Sequence, residues 1–340
     1  MEKIKEALTY DDVLLVPQYS EIESRQTIDI GNELSDTIRL DLPIISSPMD
    51  TVTEGAMASA LASNGGLGIV HRYNTIDGQC EEAVPVGATP RLVGAAVGVT
   101  GDYLERAVQL VHSGVQVICI DVAHGHHFLV QRAIKSIREV LGDSIHIMAG
   151  NVATAEGYVA LSDWGADSVR CNVGGGSICS TRIQTGFGVP GLHTIFECDK
   201  VHTGAKIIAD GGIKTSGDIV KALAAGADFV MLGSLLSGTN QAPGEVLKSA
   251  NGKRYKTYRG MASKEAQRDW KGKYSSNEGV SAVVPTKGSV LDILEDLRNG
   301  IASGFSYAGA RNLAELQQKA QFIRQTNAGR VESSAHILQK

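Results

Sequence analysis

The sequence predicts an α/β protein, and within that class a (β/α)8 TIM barrel with an active-site flap and an extended C-terminal tail. Three observations carry this. Eight short apolar runs occur at 42–49, 66–71, 93–97, 115–121, 145–152, 167–173, 206–210 and 228–233. Their continuous apolar character suits strands covered on both faces, as in a parallel sheet. Helix-length segments at 54–63, 102–112, 128–141, 153–164 and 216–225 separate most of them. Finally, 340 residues at 43% hydrophobic content are enough for one barrel or for two smaller domains. Eight β/α units in series favour a single closed barrel over an open doubly wound sheet.

Taken in order, the runs end in chemically distinctive residues. The first runs into Ser47-Pro-Met-Asp50, and the fourth into Asp121-Val-Ala-His124. The fifth closes on Gly150-Asn151, the sixth on a glycine-rich turn, the seventh on Asp210-Gly-Gly212 and the eighth on Gly233-Ser234. In a barrel these ends converge on one face, where active sites sit. The glycines after runs seven and eight occupy the usual place of a barrel phosphate site, where backbone N–H groups meet an anion.

Between these units, 72–91 reads as an irregular connection containing Pro85 and Pro90. The segment 262–288 is polar, charged and glycine-containing, which suits a flap over the catalytic face. A solvated surface insertion is the plain alternative. Residues 289–325 read as helical, with Leu291, Ile293, Leu294 and Leu297 on one face, and the polar tail 326–340 reads as extended.

Composition narrows the function. Net charge is −5, from 32 basic and 37 acidic residues without a long run of either sign. No basic stripe suggests nucleic-acid binding, so phosphate recognition is expected to be local. The first residues hold no apolar signal core and no segment is long enough to span a membrane, so a cytoplasmic setting without membrane contact is expected. Five scattered cysteines form no C-x-x-C pair, which speaks against a zinc cluster or disulfide framework.

One of them stands out. Cys179 lies in Gly174-Gly-Gly-Ser-Ile-Cys-Ser-Thr-Arg182, directly after the sixth run. The glycines permit a tight turn and close ligand approach, and a following helix start would favour thiolate, the nucleophilic form. A buried cysteine beside a structural turn fits the same string. His124-Gly-His-His127 resembles a metal string, but the three histidines share one loop without an acidic or cysteine partner at ligand spacing. Trp164 reads as packing and Trp270 as part of the flap, and the alternating charges of 132–139 as a solvated helix face.

Several strings together resemble the IMP dehydrogenase/GMP reductase family over nearly the whole chain. They are Leu8-Thr-Tyr-Asp-Asp-Val-Leu-Leu-Val-Pro17, Ser47-Pro-Met-Asp-Thr-Val-Thr-Glu54, Val93-Gly-Ala-Ala-Val97, Ala149-Gly-Asn-Val152, Gly176-Ser-Ile-Cys179, Asp210-Gly-Gly-Ile213, Met231-Leu-Gly-Ser234 and Tyr258-Arg-Gly-Met261. The resemblance implies chemistry at C2 of a purine 5′-monophosphate, with Cys179 adding to C2 and hydride passing between C2 and a nicotinamide. It implies Ser177, Gly212, Gly233, Ser234 and Tyr258 at the phosphate and Asp210 at the ribose hydroxyls. Met261 is placed near the base, with Ser47, Met49 and Gly260 also on the substrate. Asp121 and Asn151 line the cofactor side. Thr181 with Glu278 forms a proton relay, and barrels of this family form homotetramers.

The resemblance covers two reactions through a shared thioimidate. A dehydrogenase oxidises IMP with NAD and hydrolyses the intermediate to XMP; a reductase expels ammonia from GMP and reduces it with NADPH. Thr51-Val-Thr-Glu54, Gly233-Ser234, Ala242-Pro-Gly-Glu245, Arg259 and Ala328-Gly-Arg-Val-Glu-Ser333 are dehydrogenase-like. The last resembles the segment that completes a neighbour's potassium site, with Glu332 and Ser333 meeting carbonyls of Gly174, Gly176 and Cys179. Thr185-Gly186, Cys119-Ile-Asp-Val-Ala123 and Phe322-Ile-Arg324 are reductase-like.

At the dehydrogenase's water-activating Arg-Tyr pair stands Lys273-Tyr274, on a shorter flap. Lysine lacks the planar guanidinium. Asn172 stands where the family has glycine. The regulatory tandem-repeat domain, which would be inserted within 72–91, has no room there. The balance favours IMP dehydrogenase narrowly, then GMP reductase, with a non-catalytic purine-nucleotide binder as the alternative from another class.

Overall fold

Eight parallel strands close into a barrel in chain order. The computed structural model describes residues 4–84, 92–274 and 277–333. The barrel strands are β1 (Ile44–Ser46), β2 (Leu67–Val70), β3 (Val93–Val97), β4 (Val117–Asp121), β5 (His146–Val152), β6 (Ser168–Cys171), β7 (Lys206–Asp210) and β8 (Phe229–Leu232). Each lies within one of the eight apolar runs. The barrel closes where Val230 of β8 stands opposite both Ala209 of β7 and Ile44 of β1.

The helices α1 (Gly55–Ser63), α2 (Ile76–Ala83), α3 (Tyr103–His112), α4 (Phe128–Leu141), α5 (Ala155–Asp163), α6 (Gly191–Asp199), α7 (Ser216–Ala224) and α8 (Val290–Tyr307) follow the strands in turn. Side-chain caps start several of them. Thr154 accepts from the Gly157 N–H at the start of α5, and Thr215 and Asp218 form a capping box on α7. Val130, Ala133, Ile134 and Ile137 form the buried stripe of α4, one turn apart as a helix on a sheet requires.

Inside the barrel, Ile45, Ile69, Val117, Met148 and Phe229 are fully buried and fill the cavity with side chains. A hairpin of Asn32–Ser35 and Ile38–Leu40 adds Leu34 and Leu40 to the same cluster, so apolar packing seals one end. The other end, where the strands finish, is left for chemistry. Across it runs the N-terminal segment, in which Val13–Leu15 pairs with Phe322–Arg324 and Tyr10 is buried against Gly191 and Gly212.

Four expectations need adjustment. The stretch read as irregular from 72 contains α2, capped by Thr75, while 85–91 lie outside the described residues. The flap region is largely regular, with a helix Lys264–Lys271 and a strand Ser281–Pro285 paired to Arg254–Arg259. The tail turns helical over Asn327–Glu332 behind a Thr326 cap; 334–340 lie outside the described residues. On α8 the buried stripe is Val290, Leu294, Leu297, Ile301 and Phe305, whereas Leu291 is 45% exposed, because the true face advances by three or four residues per step.

Candidate active site

A cleft of about 290 Å³ opens at the C-terminal ends of the strands. Its lining gathers Ser47 and Met49 after β1, Asp121 on β4 and Asn151 on β5. The loop after β6 contributes Gly176, Ser177, Cys179 and Thr181, and that after β7 contributes Asp210 and Gly212. Gly233 and Ser234 follow β8, while Tyr258, Gly260, Met261 and Glu278 come from the flap's base. One wall of a barrel mouth therefore collects residues scattered along most of the chain.

The thiol sits at the head of a hydrogen-bonded chain. Cys179 Sγ is 3.2 Å from Thr181 Oγ1, and that hydroxyl donates to Glu278 Oε2 at 2.9 Å. Thr181 and Glu278 are 97 positions apart, and backbone pairing brings them together. Cys179 bridges Gly279 in antiparallel fashion, Ser180 N donates to Glu278 O at 2.9 Å and Val280 N to Ile178 O at 3.0 Å. The helix after the cysteine is only Thr181–Thr185. Five residues are barely more than a turn and develop little macrodipole, so the expected helix field is weak and the relay is the stronger device.

Asp210 and Asn151 meet at the centre. Asn151 Nδ2 donates to Asp210 Oδ2 at 2.8 Å, which leaves Oδ1 as an acceptor for a diol. Burial raises the Asp210 carboxyl above its ordinary range, against the opposing pull of Arg170 and the Asn151 hydrogen bond. Arg170 was not among the expected site residues. Only 3% exposed, it donates to Asp121 Oδ1 at 2.6 Å and lies 3.6 Å from Asp210 Oδ2. One guanidinium thus counters two carboxylates on facing walls. Its signal was present in the sequence, as a lone arginine inside an apolar run.

The end of the cleft formed by Ser177, Gly233 and Tyr258 carries hydroxyls and glycines. Ser177 Oγ and Tyr258 OH are 3.3 Å apart, and burial pushes the Tyr258 phenol up, keeping it a proton donor. A Cβ on Gly233 would lie 3.0 Å from Tyr258 OH and 3.4 Å from Met49 Sδ, so glycine preserves the space they border. Asp50 N donates to Met261 Sδ at 3.4 Å, fixing Met261 at the rim. Asn172 has φ 148°, a region L-residues avoid and glycine tolerates, which explains glycine's preference there. Its side chain compensates by bonding Gly211 O at 3.4 Å and packing under Gly175, tying the β6 loop to the β7 loop.

Some expected residues lie elsewhere. Lys273 and Tyr274 follow the flap helix outside the cleft, and the Tyr274 ring lies 5.0 Å from the Arg268 guanidinium carbon and 5.3 Å from Lys264 Nζ. Of the expected cation ligands, Gly176 and Cys179 border the cleft, but the Gly176 carbonyl already accepts the Cys179 N–H at 3.1 Å. Glu332 and Ser333 end the tail helix, where Ser333 Oγ bonds Gln325 and Gly329. Trp270 is a latch: its indole donates to Asp50 Oδ2 at 2.8 Å, beside the Arg259–Asp50 pair at 2.6 Å. His127 caps α4 through Leu129 N, and the described residues hold no cluster of three or more metal-ligating side chains.

A thiol with its own proton relay, opposite a diol acceptor at a barrel mouth, has the chemistry of a covalent-catalysis enzyme acting on a ribosylated substrate. Residues 7–336 match the family described as the IMP dehydrogenase / GMP reductase domain. The chain is 35% identical to an inosine-5′-monophosphate dehydrogenase of Nitrosopumilus maritimus (strain SCM1), covering 98% of this chain and 99% of that protein. It is 33% identical to a GMP reductase of Leishmania major, covering 99% and 98% respectively. The crystal structure of a cysteine-to-alanine variant of GMP reductase from Trypanosoma brucei, in complex with guanosine 5′-monophosphate, superposes with a TM-score of 0.92 at 32% identity, covering 98% of each chain. The chain belongs to the IMP dehydrogenase/GMP reductase family of oxidoreductases. The first of these alignments spans 472 positions against 340 residues here, as expected of relatives that carry an insertion.

Proposed function

We propose that this protein acts at C2 of a purine 5′-monophosphate in the reductive direction, converting GMP to IMP and ammonia with NADPH. The observation that carries the reading is the Lys273–Tyr274 pair standing outside the cleft; the Cys179–Thr181–Glu278 chain could move a proton in either reaction. Expelling ammonia needs a proton delivered to the leaving nitrogen, which the relay supplies. Hydrolysis needs a dedicated water activator, for which Lys273 and Tyr274 are the available pair.

In this reading Asp210 Oδ1 holds the ribose diol, and Ser177, Tyr258 and the glycine backbones at 212 and 233 hold the phosphate. Cys179 passes its proton toward Thr181 and Glu278, and the thiolate adds to C2. Glu278 returns the proton through Thr181 to the departing amine, leaving the base joined to sulfur. A nicotinamide dinucleotide, when bound, supplies the hydride to C2. The residues that would hold it fit: Asp121 offers a ribose acceptor, oriented by Arg170, and the buried Arg72 Nε beside it has no partner among the described residues. Return of the electron pair to sulfur then frees IMP and the Cys179 thiolate, which regains a proton from solvent through Thr181 and Glu278.

The second reading is IMP dehydrogenase, favoured by the retained tail segment at 328–333. A monovalent cation, potassium by resemblance, goes with that reading, while a cytoplasmic homotetramer is proposed for either. Potassium would engage Gly174, Gly176 and Cys179 carbonyls with a neighbour's Glu332 and Ser333, and no step above depends on it. No helix among the described residues is long and apolar enough to cross a membrane.

Nicotinamide absorbance separates the readings. GMP with NADPH should give falling absorbance and ammonia. A rise only with IMP, NAD and potassium would make the protein a dehydrogenase. Tight nucleotide binding with neither reaction would favour the non-catalytic binder.

A further inference from the structure

Two cations near Tyr73, Arg72 lining the cleft beside Asp121 and Lys271 just outside it, have no counter-ion among the described residues. Arg72 follows β2, and its Nη2 lies 3.4 Å from the Asp121 carbonyl oxygen. Its Nε is buried without a partner among the same residues. Lys271 ends the flap helix. Both cations lie over the Tyr73 ring, with the Arg72 guanidinium carbon 4.9 Å and Lys271 Nζ 5.9 Å from its centroid. Nearby carboxylates are committed elsewhere: Asp121 to Arg170, Asp50 to Arg259 and Glu54 to His71. Although exposed overall, Lys271 is partly desolvated at its ammonium, and this first, then the like charge of Arg72, holds it below the usual lysine range. Gly98, just after β3, lies against the guanidinium, where a Cβ would meet Nη1 at ordinary contact distance, 3.4 Å.

Two repelling cations, one of them lining the cleft with an unsatisfied donor, are stabilised by an anion that reaches both. We propose that Arg72 and Lys271, both against the Tyr73 ring, form the seat of the dinucleotide's diphosphate. This rests on the oxidoreductase reading above. The substrate's monophosphate has its own seat at Ser177, Tyr258 and Gly233. Arg72 adjoins Asp121, the residue placed at the nicotinamide ribose, and the group esterified to that ribose is the diphosphate. A 2′-phosphate lies beyond it, on the adenosine.

The test uses protein saturated with IMP and titrated with NADH or NADPH, followed by nicotinamide fluorescence. IMP already carries hydrogen at C2 and both dinucleotides are reduced, so no turnover occurs. Arg72→Gln and Lys271→Gln should each weaken both dinucleotides by about tenfold, as the loss of one charge-assisted bond implies, and flatten the salt dependence. Arg72→Lys should recover part of the loss, and IMP affinity should stay unchanged. Lys271 is exposed, so its variant keeps the fold. Wild-type affinity in both glutamine variants overturns the proposal. A loss confined to NADPH overturns it too, by placing the 2′-phosphate there. If the wild type binds IMP but neither dinucleotide, the oxidoreductase reading itself fails.

Discussion

Replacing Arg170 with methionine keeps much of the side-chain volume and removes the charge that two carboxylates share. At an effective dielectric of about 20, unit charges at the observed 2.6 and 3.6 Å attract by roughly 6 and 5 kcal/mol before solvation is subtracted. Arg170 is 3% exposed, so its deletion leaves the acids without a buried partner, and such losses run to about 3–5 kcal/mol net. A chain of 340 residues unfolds with an entropy of about 0.7 kcal/mol/K, so Tm should fall by about 4–7 °C.

The pH dependence has a definite sign. Burial raises the folded Asp210 carboxyl above its unfolded value, and without Arg170 it rises further. The ionised form therefore costs stability above that folded pKa, and the cost disappears as pH falls through it. Differential scanning fluorimetry should show the gap between wild type and Arg170→Met narrowing from neutral to mildly acidic pH. Asp121→Asn in the same background should recover part of the loss. An unchanged Tm, or a gap independent of pH, would refute the shared counter-ion.

Glu278→Gln should lower kcat by about 10²–10⁴-fold with nucleotide affinity intact, and adding Thr181→Ala should lower it little further, because both belong to one relay. Steady-state kinetics and equilibrium titration check this pair. Tyr258→Phe should weaken nucleoside monophosphate binding by about tenfold while leaving the nucleoside unaffected, as calorimetry would show. His146, buried beside Ser168, is held neutral by desolvation with its pKa lowered to about 4. The native state therefore loses about 3 kcal/mol as pH falls from the unfolded value near 6.5 toward 4. Denaturant unfolding of His146→Gln should lack that component.

The barrel was legible because its strands are buried on both faces and so read as unbroken apolar runs, and because glycines and acids cluster at their ends. The helix α2 was hidden by its low hydrophobicity: Ile76-Asp-Gly-Gln-Cys-Glu-Glu-Ala83 offers only a thin apolar stripe. The first apolar face drawn on α8 failed at Leu291, which sits close in sequence to Leu294 yet points away on a helix, while Ile293 packs partly against the core. Cys179 and its glycines were visible as a local string. The Thr181–Glu278 contact was reached through resemblance, since spacing across 97 positions carries no periodic signal. Arg170 was passed over because a strand read for its apolar content conceals the one charge inside it. The counter-ion it shares exists only once β4, β6 and β7 are curled into a cylinder.

The bridge between Cys179 and Gly279 also bears on how the two reactions of the family diverge. Glu278 reaches its station through main-chain pairing at 178–180, which is indifferent to side-chain identity. The segment between the flap helix and that bridge can lengthen, shorten or exchange residues while the acid stays in register with the thiol. On the proposed reading, nucleophile and relay form a fixed socket, and the stretch carrying Lys273 and Tyr274 an interchangeable fitting. A lineage could trade hydrolysis for deamination by altering that fitting alone, with no intermediate in which the cysteine loses its proton acceptor.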